Sequence, residues 1–170
     1  THLVPTYGEL TFKKEGYEYI KWINENYPTI NVFIESNGIA FNDKWAQLAS
    51  DNLMRINFSI NAVDEEHFKQ TVWDKDGVFT LVRNNVNHYI EVLKSKGLFA
   101  FKPSVSSVIN STNYDTIEQF IEYWTSRGIQ NIVLFFDNIE NEVFSENKTK
   151  DKKKAEEIVE KLLEIERIFE

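Results

Sequence analysis

The chain contains no cysteine. That excludes a disulfide, a thiolate nucleophile and a thiolate-held metal within these residues. Positive charge is also in short supply: 27 acidic against 19 basic side chains leave a net charge of −8. Phosphate backbones need a basic face, so no nucleic-acid partner is expected. No apolar run approaches the roughly 20 residues of a membrane span, and no signal peptide is visible. A membrane partner is therefore not expected, and a cytoplasmic location is the default. Aromatic side chains, by contrast, are plentiful: at 14%, within 42% hydrophobic residues overall, they can fill a sizeable core. The length of 170 residues suits a single domain, residues 1–170, around one such core.

Two patterns alternate along the chain. Short apolar runs rich in β-branched and aromatic residues cover His2–Thr6, Ile30–Glu35, Arg55–Ile60, Val105–Ile109 and Asn131–Phe136. Turn formers or polar residues bound each of them, which predicts five strands. Between them apolar residues recur at helical spacing: Tyr17, Ile20, Ile23 and Tyr27, then Val82, Val86, Tyr89, Ile90 and Leu93, then Ile117, Phe120, Ile121 and Trp124. A shorter helix is predicted over Asp43–Ser50, and a final amphipathic one over Asp151–Phe169 after a polar loop at Asn138–Lys150. Gly97 and Gly128 follow basic residues at helix ends, as C′ glycines do. Asn113 or Asp115 is placed to cap the next helix, with Glu118 completing a capping box. Strands that alternate with helices pair in parallel through right-handed crossovers. The Asn131–Phe136 run is apolar without alternation, which suits a strand covered on both faces. The fold class is thus α/β, either an open doubly wound sheet or a barrel or partial barrel of repeated βα units. Both put their sites at the carboxyl ends of the strands.

Small polar residues collect at those ends. The first strand runs into Tyr7-Gly8-Glu9, the second into Glu35-Ser36-Asn37-Gly38, and the third carries Ser59 and Asn61. The fourth carries Ser104, Ser106 and Ser107 and ends in Asn110, and the fifth ends in Asp137-Asn138. Glycines here serve tight turns equally well, and a serine in mid-strand is commonly a satisfied core hydroxyl. Glu9 stands out, because a carboxylate just after a buried strand is costly unless something cationic pairs with it. His67 reads as solvated, and His2 and His88 show no ligand spacing.

Taken in order, these features resemble the radical S-adenosylmethionine enzymes. That family has a partial TIM-like barrel of six βα units. Its second strand ends in Gly-Gly-Glu, its third often in Thr-Asn-Gly, and its fourth carries a serine followed by acidic residues, a short helix and Gly-x-Phe. The matches here are Tyr7-Gly8-Glu9, Ser36-Asn37-Gly38, Phe58-Ser59-Ile60-Asn61, Asp64-Glu65-Glu66-His67-Phe68 and Gly77-Val78-Phe79. The chain then corresponds to the second through sixth strands, so the first βα unit is expected upstream of Thr1. The family's Cys-x-x-x-Cys-x-x-Cys run, whose thiolates hold a [4Fe–4S] cluster, is absent with it. Tyr7 replaces the first glycine and Leu10 the usual proline. The arginine that many members carry after the serine strand has only Gln70 and Arg83 as candidates.

The resemblance implies that S-adenosylmethionine binds at Gly8, Glu9, Ser36, Asn37, Gly38, Ser59 and Asn110. Glu9 would meet the methionyl ammonium, Ser59 the ribose or carboxylate, and Asn110 the adenosine or substrate. It also implies that the intact protein uses a [4Fe–4S] cluster, whose ligands lie outside this chain, to make a 5′-deoxyadenosyl radical. This cysteine-free part would be inactive alone. Two other readings stand beside it. One is a degenerate barrel that serves as a binding or interaction module. The other is an unrelated barrel hydrolase using Glu9, Glu35 and Asp137, a pairing that requires two carboxylates set across a substrate. The substrate itself, small molecule or peptide, is not legible in the sequence.

Overall fold

The computed structural model describes residues 2–5, 8–71, 75–99, 103–109 and 113–136, together with 156, 157, 160, 163 and 164. Five strands form one sheet: β1 (His2–Leu3), β2 (Asn31–Ser36), β3 (Arg55–Ser59), β4 (Ser104–Ile109) and β5 (Asn131–Phe136). Five helices lie among them: α1 (Lys14–Asn26), α2 (Asp43–Asp51), α3 (Glu65–Thr71), α4 (Val78–Ser95) and α5 (Ile117–Ser126). Short 3-10 turns at Leu10–Phe12 and Tyr114–Thr116 precede α1 and α5. The strands match the sequence expectation in number and place. β1 is shorter than the His2–Thr6 run, and β2 reaches Ser36, one residue past Glu35. The predicted loop at 138–150 and most of the predicted helix over 151–169 lie outside the described residues.

Every neighbouring pair is parallel, and the strand order in space is the order in sequence, β1-β2-β3-β4-β5. That monotonic order decides between the two architectures. When each crossover moves one strand onward with the same right hand, every helix lands on the same face of the sheet. A doubly wound sheet needs a reversal of strand order, and none occurs among the described strands. Among the described residues the chain is a singly wound partial barrel, with helices covering one sheet face and no described helix on the other, called here the bare face.

Side-chain alternation fits this geometry. Val32, Ile34 and Ser36 of β2 are buried, whereas Asn31 and Glu35 are exposed. The pairing Ile34 with Ile56, Ser36 with Phe58 and Phe58 with Val105 lines up the covered side across three strands. There Phe58 meets Phe41 at 4.9 Å between ring centroids, and Phe41 meets Tyr89 of α4 at 5.2 Å. Such edge-on aromatic contacts fix the angle at which a helix lies on a sheet. Electrostatic ties join α4 to α2: Lys96 donates to Asp51 at 2.6 Å and to Ser50 Oγ at 2.7 Å, and His88 pairs with Asp43 at 2.7 Å. β5 departs from its expected burial on both faces. It is the last described strand of the sheet, and Phe135, on the bare side, is 51% exposed.

Both predicted C′ glycines close their helices. After α4, Gly97 takes φ +67, its amide meets Lys94 O, and Leu98 N reaches Leu93 O at 2.8 Å. After α5, Gly128 takes φ +91 with the same pair of bonds to Thr125 and Trp124. This is the Schellman arrangement, and it needs a left-handed residue. The capping box at α5 does not form, because the Tyr114–Thr116 turn intervenes. Asn113 instead donates its amide to Asn61 O at 3.1 Å and Val108 O at 2.9 Å. His67 is not simply solvated: Asp64 accepts from both its backbone amide and its ring at the start of α3.

Trp124 is 1% exposed under α5. Replacing it with alanine removes a large ring and leaves a cavity, so Trp124→Ala is expected to lower unfolding free energy by about 3–5 kcal/mol in urea titrations. A Cβ on Gly128 would meet Phe99 Cε1 at 2.8 Å, in addition to its left-handed backbone. Gly128→Ala is therefore expected to cost more than the ~1 kcal/mol of a strained backbone alone. A loss below about 0.5 kcal/mol would show that α5 does not end as described.

Candidate functional site

Glu9 follows β1 and precedes the first 3-10 turn, and its carboxylate ties that turn to the end of β2. Oε1 accepts from Ser36 Oγ at 3.0 Å, from Thr11 N at 3.2 Å and from the Thr11 hydroxyl. Oε2 accepts from the Asn37 amide at 2.7 Å. The cation that sequence reasoning required is therefore not needed to hold this half-buried carboxylate. Four N–H and O–H donors do that work, and charge-assisted bonds of this kind are among the stronger ones. Oε1 is fully engaged, while Oε2, which has two lone pairs, accepts once.

Ser36 continues the chain of bonds, since its hydroxyl also accepts from Gly38 N at 3.0 Å. Asn37 folds its side chain back to accept from Ile39 N at 3.0 Å, forming an Asx turn. Gly38 takes φ +77, and a Cβ there would meet Val82 Cγ1 at 3.0 Å. Its lack of a side chain thus permits the close approach of α4. Gly8 differs: it is exposed at φ +67 with open space where a Cβ would stand.

The structure joins Glu9, Ser36, Asn37 and Gly38 into one cluster, with exposed Gly8 beside Glu9 in sequence. Ser59 ends β3 at the same carboxyl edge but faces the other way. It pairs with Ser106, next to the pairing of Phe58 with Val105, so alternation puts its exposed hydroxyl on the bare face. Asn110, along with Tyr7, Asp137 and Asn138, lies outside the described residues. Arg83 does not join this cluster: its Nε donates to Tyr123 OH at 3.2 Å, between α4 and α5.

Two polar groups went unrecognised in the sequence. Asn85 of α4 donates to Gly38 O at 2.9 Å and Ile39 O at 3.1 Å, pinning the loop after β2 to the helix. The signal was present as several asparagines in one helix, a residue that helices disfavour unless its amide has work elsewhere. On the bare face, Asn57 donates to Ser106 Oγ at 2.8 Å and accepts from Ser104 Oγ at 2.8 Å. All three are buried. With Ser59 and Glu35 they form a polar patch across β2, β3 and β4 on that face, while Val133 and Phe135 of β5 face the same way. A separate small cleft, lined by Asn61, Ser107, Thr116 and Phe120, sits on the helix side.

Among the described residues no group of three or more histidine, aspartate or glutamate side chains is placed to hold a metal, and no helix is long and apolar enough to cross a membrane. The site is a polar strand-end edge at which Glu9 Oε2 can accept a further hydrogen bond.

No family model matches the chain. In sequence it is 29% identical over 90 residues to the FeMo cofactor biosynthesis protein NifB of Methanocaldococcus jannaschii, a match that spans 47% of this chain and 30% of that protein. In structure it is similar to native anSMEcpe with bound AdoMet and the Kp18Cys peptide. The TM-score is 0.58 at 17% identity, covering 79% of this chain and 37% of that one. Native anSMEcpe with bound AdoMet and the Cp18Cys peptide gives a TM-score of 0.57 at 15% identity over the same shares. The chain thus spans about a third of the length of the proteins it matches. It has the fold of the radical S-adenosylmethionine enzyme core and resembles that family in sequence.

Proposed function

We propose that the chain is the S-adenosylmethionine-binding part of a radical S-adenosylmethionine enzyme core, with the cofactor lying over the carboxyl ends of β2 and β3. The observation that carries this reading is the Glu9 cluster: an ordered carboxylate at a strand end, in a fold shared with a protein that binds AdoMet. The residues present fit the cofactor's polar groups. Glu9 Oε2 keeps acceptor capacity for the methionyl ammonium, and Ser59 offers an exposed hydroxyl for the ribose or carboxylate. Ser36 and Thr11 act one step back, because their hydroxyls fix the Glu9 carboxylate before any ligand arrives. That preorganisation spares the bound state an ordering cost.

The chain does not fit an iron–sulfur cluster. It has no cysteine, and such clusters are held by thiolates. The radical chemistry that S-adenosylmethionine supplies in this family therefore belongs to the intact parent, and this chain's own work ends with binding and orienting the cofactor. The hydrolase alternative finds less support here, because one of its three carboxylates, Asp137, lies outside the described residues.

In the intact parent protein, Glu9→Gln keeps the side-chain shape but removes its charge. The loss of a charge-assisted hydrogen bond, about 1.5–3 kcal/mol, predicts roughly ten- to hundredfold weaker S-adenosylmethionine binding by calorimetric titration. Iron content should stay unchanged. Equal affinity in the variant would remove Glu9 from the site, and lost iron would assign it a different role. The 170-residue chain alone should take up no iron on anaerobic reconstitution. Stoichiometric iron with cluster absorption would contradict the assignment of the ligands to the parent.

A further inference from the structure

Between α4 and α5 two cations meet one phenol. The Arg83 guanidinium carbon lies 4.6 Å from the Tyr123 ring centroid and that of Arg127 lies 5.0 Å from it. The two charges are therefore less than ~10 Å apart. Tyr123 is anchored from below by an edge-on contact with buried Trp124 at 4.9 Å. Its hydroxyl accepts from Arg83 Nε at 3.2 Å and from Asn87 Nδ2 at 3.0 Å. With both lone pairs taken, the phenol has only its own proton left to give.

In a chain of net charge −8 these arginines ought to have found carboxylates. The ion pairs among the described residues are instead made by lysine or histidine. The phenol also feels the positive field. Partial burial pushes its ionisation up, but the bonds from Asn87 and Arg83 and the charges of Arg83 and Arg127 outweigh burial, leaving it below the ordinary tyrosine value.

The geometry points to a binding site for a phosphate group at Arg83, Tyr123 and Arg127. Two guanidiniums and one hydroxyl donor match the charge and the three terminal oxygens of a phosphate dianion. A carboxylate, with two oxygens and one charge, would leave part of this donor set unused. None of these three residues belongs to the Glu9 cluster, so the site is independent of the cofactor reading.

The test is a titration of the full chain, followed through the arginine Nε–H resonances, with inorganic phosphate and with glycerol 2-phosphate. Acetate at matched ionic strength is the control. Saturable shifts of Arg83 and Arg127 with phosphate, absent with acetate, are expected, together with an upward move of the Tyr123 ionisation. If the ester binds about tenfold more tightly than inorganic phosphate, the natural ligand is an organic phosphate; comparable binding identifies the free ion. Arg127→Gln, an exposed change, should weaken binding at least about tenfold while resonances elsewhere hold their positions. Three results would overturn the proposal: no saturation, an equal response to acetate, or undiminished phosphate binding in both Arg127→Gln and Tyr123→Phe.

Discussion

The handedness of the βα crossover governs this structure. Once strand order follows sequence order, a constant right hand leaves no choice about where the helices go. The described helices all cover one face. On the other, Asn57, Ser104 and Ser106 bond to one another across β3 and β4, while Glu35 and Ser59 stand in the open. A buried polar network is costly unless satisfied, and here the amide of Asn57 serves both serine hydroxyls.

The strand-end cluster follows from the same geometry. Parallel strands bring all their carboxyl ends to one edge, where loops must supply partners for the last backbone amides. Glu9 answers that need for Asn37 and for Thr11, and Asn85 does the same for the carbonyls of Gly38 and Ile39. A structural demand thus places a negative charge at the strand end, where the proposed cofactor's ammonium would lie. The two roles coexist because a carboxylate has more acceptor sites than the loop uses.

Much of the fold was legible because its signals are local. The stripe Ile117, Phe120, Ile121 and Trp124 has one periodicity, and all four residues are buried as it requires. Gly97 and Gly128 lie where only a left-handed residue continues the chain. What failed depended on partners distant in sequence. Asn113 looked like a cap for the helix after it, but its amide is taken by the carbonyl of Asn61, 52 residues back, together with that of nearby Val108. The close packing at Gly38 was equally hidden, since the atom that would strike its Cβ belongs to Val82, 44 residues on. Glu9 was found as an unusual carboxylate, although the donors that steady it, Ser36 and Asn37, come from the next strand and carry no local mark of the contact.

The central claim is that one sheet face is covered and the other is the ligand side. Because the chain has no cysteine, single cysteines placed in it can report on this at known positions. Ser36→Cys and Ser59→Cys are near-isosteric, end neighbouring strands and should face opposite ways. In the intact parent, with labelled sites located by peptide mass spectrometry, thiol labelling should be fast at Ser59→Cys and slow, limited by local opening, at Ser36→Cys. S-adenosylmethionine should slow it at Ser59→Cys. Equal labelling rates at the two positions, or a Ser59→Cys rate unmoved by saturating cofactor, would contradict the account.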